Sequence, residues 1–293
     1  MNENTFNTSQ IKSSYDSIII GAGHNGLVCA SYLAKAGKKV LILEQRKIIG
    51  GAAVTEEITP GFKASIFSYL MSLLHPKIIK DLQLKERGLK VLPCSDMVSP
   101  LGGDDYILFS DNIKKTQDSF ARFSKADAAI YPQFDNYLSE AANIIRTLLW
   151  DTPVDPSRKD WRSRKDLAAL LWKYRKIGKK MYRFVDIMTM SAYDFLNEWF
   201  EDDRVMAVLA YYASIGTFTG PKEPGSAFVI LHHVMGEHSG AGGWGFIEGG
   251  MGKISESIAN FAQSKGVDIL TGAKISEIIV KDHSVTGVIT EDG

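Results

Sequence analysis

Three glycines lie within six positions of the N-terminal stretch SIIIGAGHNGLVCA, at Gly21, Gly23 and Gly26. Glycine loses more conformational freedom on folding than any other residue, so such a cluster indicates that side chains are excluded there. In G-x-G-x-x-G loops the first glycine permits a tight turn, the second lets a pyrophosphate approach the backbone, and the third lets a helix pack closely on a strand. The spacing therefore predicts a dinucleotide site, with the phosphates at the N-terminus of the next helix.

The residues around this loop predict the elements that such a site needs. Apolar, β-branched residues 17–20 indicate a fully buried strand, residues 27–36 indicate a helix that ends at Gly37, and residues 39–44 indicate a second buried strand. Glu44 ends the second strand, where an acid hydrogen-bonds the adenosine ribose. Its charge disfavours the 2′-phosphate of NADP, whereas FAD and NAD both remain compatible.

A second glycine pair, Gly50-Gly51, follows Glu44 by six and seven residues. It suggests a second close approach of the backbone to a cofactor, with a plain turn as the alternative. Both glycine clusters with Gly37 and Glu44 resemble the extended motif of FAD enzymes related to amine oxidases and phytoene desaturases. The stretches GAGHNGL, GGAAVTEEITPGF and WGFIEGGMGKISESIA resemble the phytoene-dehydrogenase-related branch of that group. The resemblance runs from about residue 15 to residue 293.

This resemblance implies an α/β fold, a Rossmann-like FAD-binding domain with an inserted α+β substrate domain, and FAD as the cofactor. In the resembled family a backbone amide near Ile275 contacts the adenine. The predicted cofactor-binding residues are Gly21, Gly23, His24, Asn25, Gly26, Glu44, Arg46, Gly50, Gly51, Ala52 and Ile275. Many amine oxidases follow the glycine pair with arginine, whereas this chain has Ala52-Ala53.

The implied activity is that of an FAD-dependent oxidoreductase, which transfers a hydride between the flavin and an apolar, isoprenoid or lipid-like substrate. An amine oxidase-type flavoenzyme is the alternative, and a non-catalytic FAD-binding or regulatory protein is an alternative of another class. No residue is identified as catalytic.

The predicted domains follow from this scheme. They are a disordered tail (1–14), the first part of the FAD-binding domain (15–74), an inserted substrate domain (75–240) and the second part of the FAD-binding domain (241–293). Short strand-like runs between residues 89 and 109 predict a small sheet, and Ser124 is expected to cap a helix over 126–150. Gly249 and Gly250 are interpreted as sites of close helix packing, or alternatively as a lining of the flavin cavity.

Composition excludes several classes of function. The 293 residues carry no formal net charge, 45% are apolar and 23% charged, and no apolar run is long enough to span a membrane. We therefore expect a cytoplasmic protein that does not bind nucleic acid. His232, His233 and His238 lie close in sequence, but no acid or cysteine completes a ligand spacing, so no metal site is predicted.

Residues 158–183 are strongly basic, with eleven basic and two acidic side chains. A helix over 166–184 is predicted, because apolar residues recur at helical spacing on one face and basic residues fall on the other. The apolar residues are Leu167, Leu170, Leu171, Tyr174, Ile177, Met181 and Phe184. The basic face is either simply solvated or contacts an anionic membrane surface or partner, which would make the protein peripheral to a membrane.

The last residues predict a hairpin with strands over 274–281 and 285–289, followed by a turn signal at Asp292-Gly293. The resembled family continues beyond this point and completes the flavin site there. We therefore expect the FAD-binding domain to be incomplete, so that this chain binds FAD weakly, turns over little and tends to aggregate.

Overall fold

The computed structural model describes residues 11–94, 96–175, 178, 180–236 and 243–292. The predictions made for residues 1–10, Lys176, Ile177, Lys179, His238 and Gly293, and for the side chain of Met181, lie outside the described part of the chain. Two compact units are present, one formed by Met1–Pro93 with Trp244–Gly293 and the other by Cys94–Gly243. We call them unit 1 and unit 2.

The strands are β1 (Ser17–Ile20), β2 (Val40–Glu44), β3 (Thr55–Thr59), β4 (Phe62–Ser65), β5 (Val91–Cys94), β6 (Asp96–Gly102), β7 (Asp105–Ser110), β8 (Trp244–Ile247), β9 (Asp268–Thr271), β10 (Ile275–Lys281) and β11 (Ser284–Thr290). The helices are α1 (His24–Lys35), α2 (Pro76–Asp81), α3 (Ile113–Phe120), α4 (Lys125–Trp150), α5 (Trp161–Tyr174), α6 (Lys180–Thr189), α7 (Ala192–Asn197), α8 (Asp203–Tyr211), α9 (Ser226–Val234) and α10 (Gly252–Ser264).

Unit 1 is built on a parallel sheet with the strand order β1-β2-β9. The two faces of β2 bury alternate residues: Val40 and Ile42 pack with the helices α1 and α10, and Leu41 and Leu43 pack with residues that include Val288 of β11. The predicted hairpin is confirmed as β10-β11, which turns through positive φ at residues 282 and 283. The sheet thus lies between two helices and a hairpin, and the α/β, Rossmann-like fold is confirmed.

The strand β1 differs from its prediction as a fully buried strand. Ile19 packs into the core below α1, but Ile18 and Ile20 are 36% and 52% exposed. Both share a face with Leu41 and Leu43, and the apolar cluster on that face covers β2 and not the edge strand. Apolar composition alone does not distinguish an edge strand from a central one.

Unit 1 also extends beyond the predicted boundaries. Leu82, Leu84 and Leu89 are buried in the same core as α1, so residues 75–93 belong to unit 1 and not to the inserted domain. Lys12, within the tail predicted to be disordered, forms an ion pair with Asp268. Each difference reflects a long-range contact that the local sequence does not encode.

The strands predicted between residues 89 and 109 do not form one sheet. β5 pairs with β8, whereas β6 and β7 form a separate antiparallel hairpin in unit 2. A Cβ at Gly245 would lie 2.4 Å from Val91 Cγ1 and 3.3 Å from the Leu92 carbonyl oxygen, so a side chain at this position would crowd the β5-β8 pairing. The pairing joins residues that are far apart in the chain, which strand propensity does not predict.

The core of unit 2 contains aromatic rings that are supplied by α3, α4 and α7 among others. The Phe134 ring lies 4.9 Å from Phe200 and 5.5 Å from Trp199, both in edge-to-face geometry, which favours aromatic pairs beyond their burial. The predicted cap is confirmed, since Ser124 Oγ accepts a hydrogen bond from the Asp127 amide at 3.0 Å.

The single helix predicted over 166–184 is wrong. The helix α5 ends at Tyr174 and α6 begins at Lys180. Gly178 between them has φ of +52°, a left-handed conformation that interrupts a right-handed helix.

A proline inside α4 leaves one carbonyl of this helix without its usual amide donor. Pro132 has no amide hydrogen, so it cannot donate to the Ala128 carbonyl one turn earlier. Gln117 of α3 donates to that carbonyl instead, with its Nε2 at 2.7 Å from the oxygen. The side chain of one helix thereby satisfies an acceptor that the other leaves open.

We expect Gln117→Leu to lower the free energy of unfolding by about 1–3 kcal/mol, because the Ala128 carbonyl loses its donor. In the Pro132→Ala background the restored amide can bond this carbonyl, and the same substitution should cost less than about 0.5 kcal/mol. Urea unfolding of the four proteins measures the coupling. Equal costs in both backgrounds would show that Gln117 does not substitute for the missing amide.

Candidate functional site

The glycine loop and the second glycine pair meet in space. Gly23 and Gly50 form an isolated parallel bridge, and the Gly50 amide donates to the Ala22 carbonyl at 2.8 Å. A Cβ at Gly51 would lie 3.1 Å from the Gly23 Cα. The second pair therefore also serves backbone packing against the first loop, a role that the sequence analysis did not foresee.

The helix α1 begins at this junction. Gly23 is its N-cap and supplies no side-chain hydrogen bond, and the first bond within the helix runs from the Leu27 amide to the Gly23 carbonyl at 3.0 Å. The amides of the first turn, which include Asn25 and Gly26, therefore have no acceptor within the helix. Such a terminus attracts an anion through its amides and its dipole.

A different N-terminus in the same unit is closed by side chains. In α10 the Met251 amide donates to Ser65 Oγ at 3.0 Å, and the Gly252 amide donates to Thr55 Oγ1 at 2.9 Å. A Cβ at Gly250 would lie 2.4 Å from Thr55 Oγ1, in agreement with its interpretation as a site of close packing. Of these two termini, the glycine-capped start of α1 is thus the one suited to a phosphate.

Glu44 lies at the end of β2 and is 7% exposed. Its Oε2 accepts a hydrogen bond from the Ala22 amide, and its Oε1 accepts one from the Arg46 amide, both at 2.8 Å. Two backbone donors thus fix the carboxylate beside the glycine loop. The residue Ala22 was not predicted to take part, because the direction of a backbone amide cannot be read from residue type.

The connection after β9 passes over the end of β2. The Gly272 amide donates to the Arg46 carbonyl at 2.9 Å, and the Ala273 amide donates to the Glu44 carbonyl at 2.8 Å. Ile275 follows directly and packs in the cluster of Leu41 and Ala273. The structure thereby brings Ile275 to the same end of the sheet as Glu44.

Three further predicted cofactor-binding residues, Arg46, Ala52 and His24, have different local contacts. Arg46 forms an ion pair with Glu56 at 2.6 Å, and the carbonyl of the exposed Ala52 accepts a hydrogen bond from Ser68 Oγ at 2.8 Å. His24 follows the N-cap, and its Nδ1 is buried without a hydrogen-bond partner. A buried, unpaired nitrogen beside the start of α1 is consistent with a polar ligand at this place.

These observations together fit FAD. The pyrophosphate would be held by the first turn of α1, with Gly23 leaving room for its approach, and the ribose would be held by Glu44. Both carboxylate oxygens of Glu44 retain lone pairs beyond their backbone bonds.

The two adjacent histidines of α9, His232 and His233, are partly buried inside unit 2. Burial lowers the pKa of His232 and of His233, although the hydrogen bond to the Val229 carbonyl partly opposes the shift at His233. The His233 Nδ1 lies 2.7 Å from the Val229 carbonyl, to which it donates. In the described part of the chain no group of three or more His, Cys, Asp or Glu is placed to hold a metal ion.

Comparisons with known proteins agree with this geometry. A family model described as an NAD(P)-binding Rossmann-like domain matches residues 19–82. Pyridine nucleotide-disulfide oxidoreductase domain-containing protein 2 of Rattus norvegicus is 37% identical over 97% of this chain and 52% of its own length. Residues 19–82 thus form a Rossmann-like nucleotide-binding domain. The chain is a homologue of that rat protein.

Two more distant matches cover most of the chain as well. A protein of Castellaniella defragrans that forms part of limonene dehydrogenase is 26% identical over 93% of the chain and 47% of its own length. The crystal structure of an oxidoreductase from Methanosarcina mazei has the same fold, with a TM-score of 0.56, 17% identity, and coverage of 94% of this chain and 56% of that one. The chain spans about half the length of the curated relatives it matches.

We expect Glu44→Gln to weaken FAD binding about tenfold to a hundredfold, because a charge-assisted hydrogen bond to the ribose is worth about 1.5–3 kcal/mol. The new amide group would also oppose one of the two backbone donors and lower stability. Fluorescence titration with FAD measures the affinity, and Glu57→Gln, at an exposed carboxylate of β3, is the matched control. Equal affinities of the parent and Glu44→Gln would place the ribose elsewhere.

Proposed function

We propose that this chain binds FAD and belongs to an oxidoreductase that transfers a hydride between the flavin and an apolar, isoprenoid- or lipid-like substrate. The observation that carries the proposal is the glycine-capped start of α1, with Gly50-Gly51 and the buried Glu44 beside it. This arrangement offers amides to a pyrophosphate and a carboxylate to a ribose.

The residues of the chain bind and orient the cofactor in this proposal. Gly23 admits the pyrophosphate to the amides of α1, Glu44 fixes the adenosine end, and the backbone near Ile275 borders the adenine. When bound, FAD supplies a two-electron acceptor for a hydride from a substrate C–H bond.

The class of substrate is proposed from relatives. The name of limonene dehydrogenase refers to limonene, an isoprenoid hydrocarbon. Ala52-Ala53 after the glycine pair separates this chain from the amine oxidases that carry arginine there. Both points favour an apolar substrate over an amine.

The test uses the chain loaded with FAD under anaerobic conditions. An isoprenoid hydrocarbon should bleach the flavin absorption, while an alkylamine should leave it unchanged. Bleaching by the amine alone would favour the amine oxidase-type activity. Because the chain is expected to turn over little, bleaching is followed over hours as a single reduction of the bound flavin. A flavin that dithionite reduces but neither substrate bleaches even then would favour a non-catalytic FAD-binding protein.

A further inference from the structure

The helix α5 carries two tryptophans on one outward face. Trp161 is 80% exposed and Trp172 is 67% exposed. At 3.6 residues per turn, their spacing in the sequence brings the two side chains to nearly the same side of the helix. Lys165 is one turn after Trp161 and lies between them on this side. We call this surface the tryptophan face of α5.

The opposite side of α5 carries partly buried apolar residues of the helix. Leu167, Leu170 and Tyr174 are half-buried there, in agreement with their predicted apolar face, whereas Leu171 is exposed. The tryptophan face is therefore the more exposed side of α5, and no residue of this helix is fully buried.

The end of α5 is fixed to the end of α4. Asp151 accepts hydrogen bonds from Lys173 at 2.7 Å and from Tyr174 at 3.0 Å. The helix is thus anchored at its C-terminal end while its tryptophan face stays exposed.

Positive charge dominates around the tryptophan face of α5. The described residues 158–175 include seven basic and two acidic side chains, although the whole chain has no formal net charge. One of the two acids, Asp160, caps the helix by accepting from the Ser163 amide at 3.0 Å. Arg175 stacks over the Trp172 ring at 3.7 Å, so that cation and indole lie together.

Exposed indoles interleaved with basic side chains match the chemistry of a lipid headgroup layer. Tryptophan concentrates at membrane interfaces, and lysine and arginine near the surface are attracted to anionic lipids. Among the described residues, no helix combines the length and apolar character needed to cross a bilayer, so the contact would be made along the surface.

We propose that α5 docks on an anionic lipid surface, with Trp161 and Trp172 in the headgroup region and the surrounding basic side chains on lipid phosphates. The inference does not depend on the cofactor or on the reaction. A failure of the proposed oxidoreductase activity would therefore leave it standing, and the reverse holds as well.

Sedimentation with vesicles tests the docking. The chain should bind phosphatidylcholine vesicles that contain phosphatidylserine, bind much less to pure phosphatidylcholine, and dissociate as salt is added. Trp161→Ser combined with Trp172→Ser should lower the partition coefficient about tenfold or more. The matched control replaces two exposed rings of unit 1, by Phe62→Ser with Phe67→Ser, and should change binding less than about twofold.

The charge contribution is tested in the same assay. Lys165→Glu with Arg175→Glu should weaken binding about tenfold or more at low salt. Lys38→Glu with Lys85→Glu makes the same change of net charge on unit 1 and should have a much smaller effect. Thermal unfolding of each variant checks that the fold is retained.

Binding that ignores both phosphatidylserine and salt would overturn the proposal, as would controls that weaken binding as much as the α5 variants. A dimer that forms without vesicles and is lost in the tryptophan variant would assign this face to a second copy of the chain instead.

Discussion

Gly23→Ala is expected to weaken FAD binding about a hundredfold, or about 2.8 kcal/mol, while the protein without cofactor keeps its stability. Gly23 has φ of −70° and ψ of 165°, a conformation open to any residue, and a Cβ there would meet only the Gly51 Cα, at an ordinary 3.8 Å. The fold itself therefore does not require glycine at this position. The requirement comes from the approach of a pyrophosphate to the start of α1.

Two measurements are needed for this prediction. Fluorescence titration gives the FAD affinity, and urea unfolding without FAD gives the stability. The bulkier Gly23→Val should abolish binding altogether. If Gly23→Ala binds FAD as the parent does, the phosphates do not approach Gly23.

Gly26→Ala, in contrast, should lower the stability of the protein without cofactor. The expected loss in the free energy of unfolding is about 3 kcal/mol, at the upper end of the range for an overpacked site. A Cβ at Gly26 would lie 2.3 Å from the Gly21 carbonyl oxygen and 3.3 Å from Ile19 Cγ2. The first of these neighbours is backbone, so α1 must move away from β1 to make room. This displacement also separates the helix from the loop that it closes.

Urea unfolding without FAD measures this cost, and Gly23→Ala, with the same added methyl group in the same loop, is the matched control. Unchanged stability of Gly26→Ala would show that the helix and the strand have more freedom than their contact implies. A large loss in both variants would remove the distinction between a glycine needed for packing and one needed for the cofactor.

The local sequence predicts the centre of unit 1 because each part of it is a short-range pattern. The turn at Gly21, the end of α1 near Gly37, the buried strand up to Glu44 and the terminal hairpin all depend on neighbouring residues. Spacing also predicts that the glycine loop and Glu44 belong to one unit. The bridge between Gly23 and Gly50 shows that the second glycine pair lies in the same unit, directly beside the loop.

Contacts between distant residues account for what the sequence did not predict. The pairing of β5 with β8, the burial of Leu82, Leu84 and Leu89 in the core of α1, and the exposure of two isoleucines of β1 all depend on which element lies alongside. The separation of α5 from α6 depends on the positive φ of Gly178, and the apolar periodicity used to predict the helix takes no account of backbone conformation. The predicted faces of the basic helix were right for Leu167 and Leu170, but the exposed tryptophans were not considered.

Equilibrium dialysis of the parent chain and Gly23→Ala against FAD, NAD and NADP is the most direct test of the proposed cofactor site. We expect the parent to take up FAD in preference to both nicotinamide nucleotides, and we expect Gly23→Ala to lose this uptake. Equal uptake of FAD by the two proteins, or a preference of the parent for NADP, would contradict the assignment of the glycine loop and Glu44 to FAD.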